Sequence, residues 1–186
     1  MTPLVDGWLR DAVRVPSPNV DERPEGARVE LIVIHNISLP PGRYGGGHVQ
    51  ALFANRLDPC EHPFFAGIAH VRVSAHLLVE RDGQMTQFAS FDRRAWHAGP
   101  SEFQGRSRCN DFSVGIELEG SDFEPFTDAQ YSALTTALSA VCAAYPVRFV
   151  CGHSDIAADR KTDPGPFFDW DRLALPAFVS LRPARA

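Results

Sequence analysis

Three short runs rich in apolar, β-branched residues constrain the fold of this chain more than any other feature. They are residues 29–34 (VELIVI), 113–119 (SVGIELE) and 148–151 (RFVC). Runs this short, bounded by polar and turn-forming residues, are typical of strands buried in the middle of a sheet. His35 follows the first run and His153 follows the third. Because functional groups of α/β proteins gather at the carboxyl ends of such strands, both histidines are candidates for one site.

A turn signal, Arg81-Asp82-Gly83, lies between two further strand-like segments at residues 75–80 and 84–88. This arrangement predicts a β-hairpin. Residues 39–47 (LPPGRYGGG) contain too much glycine and proline for regular structure and predict a flexible loop that could act as a lid. A short helix is expected directly after it, at residues 48–55.

The clearest helix signal begins at Thr127, which forms a capping box with Gln130. Apolar residues then recur at helical spacing until Pro146 ends the pattern. A weaker helix, interrupted by a proline, is predicted at residues 169–182. Strands joined both by a hairpin and by helices indicate a single domain, residues 1–186, of the α/β (α+β) class, with a mixed central β-sheet flanked by helices.

Charge and composition exclude several classes of partner. The 186 residues carry a net charge of −5, which argues against nucleic acid as a partner because phosphates would be repelled. The chain has no run of about 18 apolar residues, so no membrane partner is expected. The N-terminal residues are charged where a signal peptide would be apolar, and none of the four cysteines forms a CxxC pair. We therefore predict free thiols and a cytoplasmic location.

His35 and His153 suggest a metal site. A catalytic zinc is held by three nitrogen, sulfur or carboxylate donors and leaves a fourth position open, so two histidines and one acid would meet the requirement. Spacing alone does not define the third ligand. Asp155 is nearest to His153, whereas Asp163 lies in the charged loop ADRKTDPG at residues 158–165. A turn or helix cap is the alternative role for Asp155.

Glu117 and Glu119 are candidates for proton transfer. They are two residues apart in one strand and therefore share a face. Apolar neighbours in the stretch VGIEL would raise the pKa of Glu117 toward neutrality, as a general base requires. The alternative is an ordinary carboxylate paired with Arg108 or Lys161. The spacing of the two glutamates does not choose between them.

Several separate motifs resemble the zinc-dependent N-acetylmuramoyl-L-alanine amidases. They are IVIHNISLPPG, SAHLLVERDG, RAWHAGPSEFQGRSRCNDFSVGIELEG, FTDAQY and GHSDIAADRKTDPGPFFDW, and together they cover nearly the whole chain. Within that family, the chain is most similar to the cytoplasmic branch that recycles cell-wall fragments, the anhydromuramoyl-L-alanine amidases. The resemblance implies a peptidoglycan recognition protein-like amidase fold and one Zn²⁺ per chain.

The same resemblance assigns roles to individual residues. It implies that His35, His153 and Asp163 bind the metal, that Glu117 is the catalytic acid and base, and that Lys161 stabilises an oxyanion. Six further residues are predicted to bind substrate: Asn36, Arg72, Trp96, His97, Arg108 and Arg160. The arginines suit the carboxylates of a peptide stem, and the tryptophan suits the face of a sugar or lactyl group. His76, in the middle of a strand, is expected to buttress the site rather than to bind metal.

The expected reaction is hydrolysis of the amide bond between the lactyl group of (anhydro-)N-acetylmuramic acid and L-alanine of the peptide stem, with an anhydromuropeptide as the substrate. Three alternatives remain at this stage: a lytic amidase that acts on polymeric peptidoglycan, a non-catalytic muropeptide-binding module, and a zinc peptidase that cuts the stem. The absence of an HExxH motif weakens the last alternative. The sequence does not predict an oligomeric state.

Overall fold

A seven-stranded sheet organises residues 4–181, the part of the chain that the computed structural model describes. The strands are β1 (Leu4–Val5), β2 (Trp8–Leu9), β3 (Val13–Arg14), β4 (Val20–Asp21), β5 (Leu31–Ile37), β6 (Leu77–Val79), β7 (Met85–Gln87), β8 (Arg94–Ala95), β9 (Glu102–Phe103), β10 (Arg106–Ser107), β11 (Ser113–Glu119), β12 (Phe149–Gly152) and β13 (Ser180–Leu181). The α-helices are α1 (His48–Phe53), α2 (Pro63–Ile68), α3 (Asp128–Ala144) and α4 (His153–Ile156), and 3₁₀ turns lie at Cys109–Asp111 and Trp170–Arg172.

The central sheet is mixed, as predicted. Its strand order is β13-β12-β5-β11-β6-β7-β3. Neighbours from β13 to β6 run parallel, β6 and β7 form the predicted antiparallel hairpin, and β3 is parallel to β7. The three longest apolar runs of the sequence therefore become the three adjacent central strands β12, β5 and β11.

One face of the sheet is covered by the long helix α3. Side chains at alternate positions of β5 and β11, such as Ile34 and Ile116, pack in one cluster with Leu134 and Leu138 of α3. The predicted capping box is present, because the N–H of Gln130 donates to Thr127 Oγ1 and the N–H of Thr127 donates to Gln130 Oε1, both at 3.1 Å. A second apolar cluster joins α1 and α2 to the side of the sheet around Phe53, Phe65 and Phe88.

The opposite face of β5 and β11 carries the polar residues. Glu117 of β11 is paired in register with His35 of β5. β5 extends through Ile37 because its parallel ladder with β11 continues to Glu119. His35 and Asn36 therefore lie within the strand and not, as predicted, just after it.

The predicted C-terminal helix at residues 169–182 is wrong over the described residues; residue 182 lies outside them. Only a 3₁₀ turn forms there, and the chain then runs extended into β13, which pairs with β12. Leu173 and Val179 are buried against the core, and Pro176 interrupts the segment. The segment pairs with the edge of the sheet and buries these two side chains, and the helical spacing of its apolar residues in the sequence is weak.

The four cysteines are free thiols, as predicted, with Cys60 exposed and the other three buried. None of the helices in residues 4–181 is both long and apolar enough to cross a membrane.

Candidate metal centre and active site

Three potential metal ligands converge on one point above the carboxyl ends of β5 and β12. His35 Nδ1 lies 3.0 Å from His153 Nδ1 and 2.9 Å from Asp163 Oδ2. His153 Nδ1 lies 3.1 Å from the same carboxylate oxygen. Within residues 4–181 this is the one cluster of at least three such residues with suitable geometry. Two imidazoles and one carboxylate, with donor atoms about 3 Å apart, fit the three protein ligands of a catalytic zinc.

Each of the three residues is supplied by a different part of the fold. His35 is in β5, His153 begins α4 directly after β12, and Asp163 is in the following loop. The N–H of Ser154 donates to the carbonyl of Asp163 at 2.9 Å, which ties the loop to α4. Gly152 allows this approach, since a Cβ at that position would lie 2.7 Å from Pro164 Cδ.

Asp155, the alternative third ligand, has another role. Its carboxylate accepts the N–H of Gly152 at 2.8 Å and so caps the short helix α4. The geometry therefore brings Asp163, and not Asp155, to the two histidines.

Burial and mutual contacts set the charges of the cluster. Burial lowers the pKa of His35 to about 4, although the hydrogen bond with Asp163 opposes the shift. Burial alone would raise the pKa of Asp163, but hydrogen bonds from His153 and His35 outweigh it and hold that pKa well below its usual range. A neutral imidazole and an ionised carboxylate are the forms that coordinate a metal.

Glu117 lies beside this cluster in an unusual environment. Its side chain is 8% exposed, and its Oε2 atom has no hydrogen-bond partner among the described residues. Burial, followed by the charge of Asp163, raises the pKa of Glu117 well above its ordinary value, while Lys161 lowers it. A carboxyl group with a raised pKa next to a metal centre can accept and return a proton near neutral pH.

Glu119 is engaged differently. Its carboxylate accepts the N–H of Gly45 and, at 3.2 Å, the N–H of Arg81. The first contact anchors the glycine-rich loop that follows β5. Of the two glutamates, Glu117 is therefore the one whose oxygen is free for chemistry.

A cavity of about 540 Å³ opens next to Asp163. It is lined by Asn36, Ser38, Pro41, Gly42, Ser121, Asp122, Phe123, Arg160, Lys161, Thr162 and Asp163. The cavity is large enough for a small glycopeptide fragment, and its cations would attract carboxylates.

The sequence profile of the N-acetylmuramoyl-L-alanine amidase family matches residues 25–166. This chain belongs to that amidase family. The 1,6-anhydro-N-acetylmuramyl-L-alanine amidase AmpD of Escherichia coli K12 is 58% identical over 174 residues, which cover 92% of this chain and 95% of the relative. The resemblance inferred from the motifs is confirmed.

Solved structures agree with this assignment. A crystal structure of a selenomethionine AmpD derivative has a TM-score of 0.88 and 54% identity, and covers 95% of this chain and 99% of that chain. AmiD from E. coli, in complex with anhydro-N-acetylmuramic acid-L-Ala-D-γ-Glu-L-Lys, has a TM-score of 0.58 and 27% identity over 83% of this chain and 64% of that chain. Drosophila PGRP-LB, at 18% identity over 85% of this chain and 90% of that chain, shares the fold with a TM-score of 0.57, which confirms the predicted fold class.

The predicted substrate-binding residues of this amidase occupy different places. Asn36 and Arg160 line the cavity. Asn36 donates to Asp122 Oδ1 at 2.7 Å and to the carbonyl of Pro164 at 3.1 Å, so it also braces the ligand loop. Arg160 donates through one nitrogen to the carbonyls of Ala98 and Pro100, both at 2.6 Å.

The other four predicted residues are not part of the cavity lining. Arg72 and Arg108 are exposed, and Trp96 is half-buried. Their roles in substrate binding stay predictions. His97 instead lies behind His35, with its Nδ1 atom 3.0 Å from His35 Nε2.

His76 is not part of the metal cluster but lies next to His97. Its ring centroid is 5.7 Å from that of His97, and its Nδ1 atom accepts the N–H of Gly115 at 3.0 Å. Burial lowers the pKa of His76 to about 3. His76 thus lies beside His97 and outside the cluster of potential metal ligands, and its role as a buttress stays a prediction.

The sequence did not reveal several residues of the site. Ser38, Ser121, Asp122 and Phe123 line the cavity. Ser38 falls within one of the motifs but carries no chemical signal of its own, and residues 121–123 lie outside all of the motifs. Phe123 is 87% exposed, and its aromatic character was the only available signal.

Proposed function

We propose that this protein is a zinc-dependent amidase of peptidoglycan recycling. It would hydrolyse the amide bond between the lactyl group of 1,6-anhydro-N-acetylmuramic acid and L-alanine of the peptide stem. The observation that carries the proposal is the convergence of His35, His153 and Asp163 beside a polar cavity, next to a buried Glu117 with a raised pKa.

One zinc ion per chain would be held by His35 Nδ1, His153 Nδ1 and Asp163 Oδ2. When bound, zinc supplies Lewis-acid activation of a carbonyl group and of a water molecule. The Nε2 atom of each histidine, on the far side of the ring from the metal, has an acceptor. His35 Nε2 lies 3.0 Å from His97 Nδ1, and His153 Nε2 lies 3.1 Å from the carbonyl oxygen of Ala98. Such outer hydrogen bonds orient metal ligands.

Glu117 would carry the proton. Its unpartnered Oε2 atom can accept a proton from the attacking water and deliver it to the departing nitrogen of alanine. Lys161 lies on the cavity wall next to Asp163, where its ammonium group can stabilise the oxyanion of the tetrahedral intermediate.

The anhydro sugar is proposed from the relatives and from the cavity. The named E. coli AmpD acts on the 1,6-anhydro form, and AmiD was solved with an anhydromuramoyl tripeptide. The carboxylates of a stem would meet Lys161 and Arg160 at the cavity, and Arg72 and Arg108 are exposed cations that do not line it. We also propose a cytoplasmic location, since four free thiols suit a reducing compartment.

The alternative of a non-catalytic binding module is less consistent with the site. Recognition alone requires neither a complete set of metal ligands nor a carboxyl group kept buried without a partner, because both cost stability. A stem-cutting peptidase would place the same zinc chemistry on a different bond, and the products of the reaction separate the two.

Metal analysis tests the ligand set. Purified protein should contain about one zinc per chain, and His153→Ala should lose most of it because one of three protein donors is gone. His70→Ala is the matched control, since His70 is exposed and outside the cluster. Full zinc content in His153→Ala would contradict the assignment.

Substrate comparison tests the recycling role. Anhydromuramoyl peptides should be cleaved much faster than polymeric cell wall, and the protein should fractionate with the cytosol. Equal rates on both substrates would move the protein to the lytic alternative and leave the zinc chemistry unchanged.

A further inference from the structure

Both metal-binding histidines are held from behind by two consecutive residues. Their Nδ1 atoms face Asp163, so their Nε2 atoms point away from the metal cluster. His35 Nε2 lies 3.0 Å from His97 Nδ1, and His153 Nε2 lies 3.1 Å from the carbonyl oxygen of Ala98. A neutral imidazole that offers the Nδ1 lone pair carries its proton on Nε2, so both outer N–H groups are donors.

The direction of each hydrogen bond behind His35 follows from this tautomer. His97 Nδ1 must accept from His35, so His97 carries its own proton on Nε2 and donates it to Ser113 Oγ at 3.1 Å. The Ser113 hydroxyl donates in turn to the carbonyl of Cys109 at 2.6 Å. The chain ends on a backbone acceptor and leaves no proton unassigned.

The position of His97 and Ala98 is fixed by one further side chain, that of Asn110. Its Oδ1 atom accepts the N–H of His97 at 3.2 Å and the N–H of Ala98 at 2.8 Å. Asn110 sits in the 3₁₀ turn Cys109–Asp111, which is itself held because Arg23 donates to the carbonyls of Asn110 and Asp111 at 3.1 and 3.2 Å.

We propose that Asn110 is a positioning residue for the metal centre. By binding two consecutive N–H groups, its side-chain oxygen sets the place of the His97 ring and of the Ala98 carbonyl, and through them the orientation of both metal-binding imidazoles. These hydrogen bonds of the Asn110 side chain go to backbone groups and not to the metal ligands, and Asn110 does not line the cavity. The inference deepens the proposed function and rests on it, because it assumes that the cluster binds zinc.

The test is the metal affinity of the metal-free protein and its Asn110 variants. Asn110→Ala removes the shared acceptor and should weaken zinc binding by about 10- to 100-fold, the usual effect of losing an outer support. The visible absorption of the Co²⁺-loaded variant should also shift, since the two imidazoles lose their fixed orientation. Asn110→Asp keeps an oxygen in place and should restore most of the affinity and the wild-type spectrum.

Gln87→Ala is the matched control. Gln87 is a fully buried amide side chain that binds the backbone of Leu9 and Gly7, remote from the cluster in the sheet order. Its loss should lower the melting temperature without changing zinc affinity or the Co²⁺ spectrum. If Asn110→Ala does not fold, Asn110→Ser, whose hydroxyl is too short to bridge both N–H groups, replaces it in the comparison.

Two results would overturn the inference. One is an Asn110→Ala protein, or its Asn110→Ser substitute, with the zinc affinity and Co²⁺ spectrum of the wild type. The other is a Gln87→Ala protein that loses as much zinc affinity as Asn110→Ala when the two variants lose the same stability. That result would indicate a general structural effect. A wild-type protein that takes up no zinc would instead overturn the proposed function, and this inference with it, so the two failures are distinguishable.

Discussion

At the scale of single residues, two glutamates on one face of β11 have different surroundings. Glu119 is engaged by backbone N–H groups of Gly45 and Arg81, whereas one oxygen of Glu117 is buried without a partner. Their spacing in the sequence correctly placed both on one face. It could not separate them, because the distinguishing contacts come from loops far away in the chain.

Glu117→Gln should keep the metal and the fold but lose at least about a hundredfold in turnover, because the proton carrier is gone. The metal-free variant should also be more stable than the wild type at pH 7. In the wild type, the pKa of Glu117 is higher in the folded than in the unfolded state, which lowers the free energy of unfolding as the pH rises above about 4.5. The stability gained by Glu117→Gln should therefore vanish near pH 4. Each pKa unit corresponds to about 1.4 kcal/mol.

Thermal melts at both pH values and kinetic assays check this prediction. Glu119→Gln is the comparison, since it removes a loop anchor rather than a proton carrier. An inactive Glu119→Gln protein beside an active Glu117→Gln protein would reverse the assignment of the two glutamates.

Lys161→Met should reduce kcat by about 100- to 1,000-fold through the loss of oxyanion stabilisation, while zinc content stays near one per chain. The methionine side chain keeps much of the length and volume of lysine and removes only the charge. Steady-state kinetics with metal analysis measures both quantities. Unchanged kcat with a raised KM would instead indicate that Lys161 only binds the substrate.

Spacing in the sequence also could not decide whether Asp155 or Asp163 is the third metal ligand. Both are acidic and close to His153 in the chain. The resemblance to the amidases selected Asp163. In the structure the carboxylate of Asp163, and not that of Asp155, lies against the two histidines, because the loop folds back through the contact between Ser154 and Asp163. Local spacing carries no information on such a return of the chain.

At the scale of elements, the buried strands and the capped helix were predictable because their signals are local. β11 was predicted with its observed bounds, and α3 follows its capping box. The segment after residue 169 was not predictable, since its conformation depends on pairing with the edge of β12. The glycine in the middle of β11 was also unexplained by the sequence, and the structure explains it.

Gly115→Ala should destabilise the protein and weaken its metal site. A Cβ at this position would lie 2.4 Å from His97 Cγ, so the ring that supports His35 would have to move. Overpacking of this kind costs about 1–3 kcal/mol. Thermal melts and zinc titration measure the two effects.

Gly67→Ala is the control for this change. A Cβ at Gly67, in the helix α2, would meet no atom within 4 Å. It should therefore leave zinc affinity unchanged and stability equal or slightly higher, since alanine favours helix. If both variants behave like the wild type, the packing of His97 on β11 does not limit the site.

At the scale of the whole molecule, buried imidazoles link stability to pH. Burial lowers the pKa of His35 to about 4, that of His76 to about 3, and that of His97 well below its ordinary value. Histidines of an unfolded chain titrate near pH 6.5. Between that pH and the lowered pKa values of the folded state, the unfolded chain therefore binds more protons than the folded one. Lowered pKa values contribute stability that is present above about pH 6.5 and is lost as the pH falls.

The metal-free protein should therefore lose several kcal/mol of unfolding free energy between about pH 6.5 and pH 4. Urea unfolding across this range measures the change. Glu117 contributes in the opposite direction over this range, so the test uses the Glu117→Gln protein. A free energy of unfolding of that variant that is constant from pH 7 to pH 4 would show that these histidines are not buried as neutral rings.

Mass analysis of the products formed from an anhydromuramoyl tripeptide tests the proposed amidase reaction most directly. Hydrolysis of the lactyl amide bond should give two products, the intact peptide stem with a free alanine amino group and the anhydro sugar with a free lactyl carboxylate. Their formation should stop when a chelator removes the metal and resume when zinc is restored. A stem cut between its amino acids, or an unchanged substrate with zinc-loaded enzyme, would contradict the assignment.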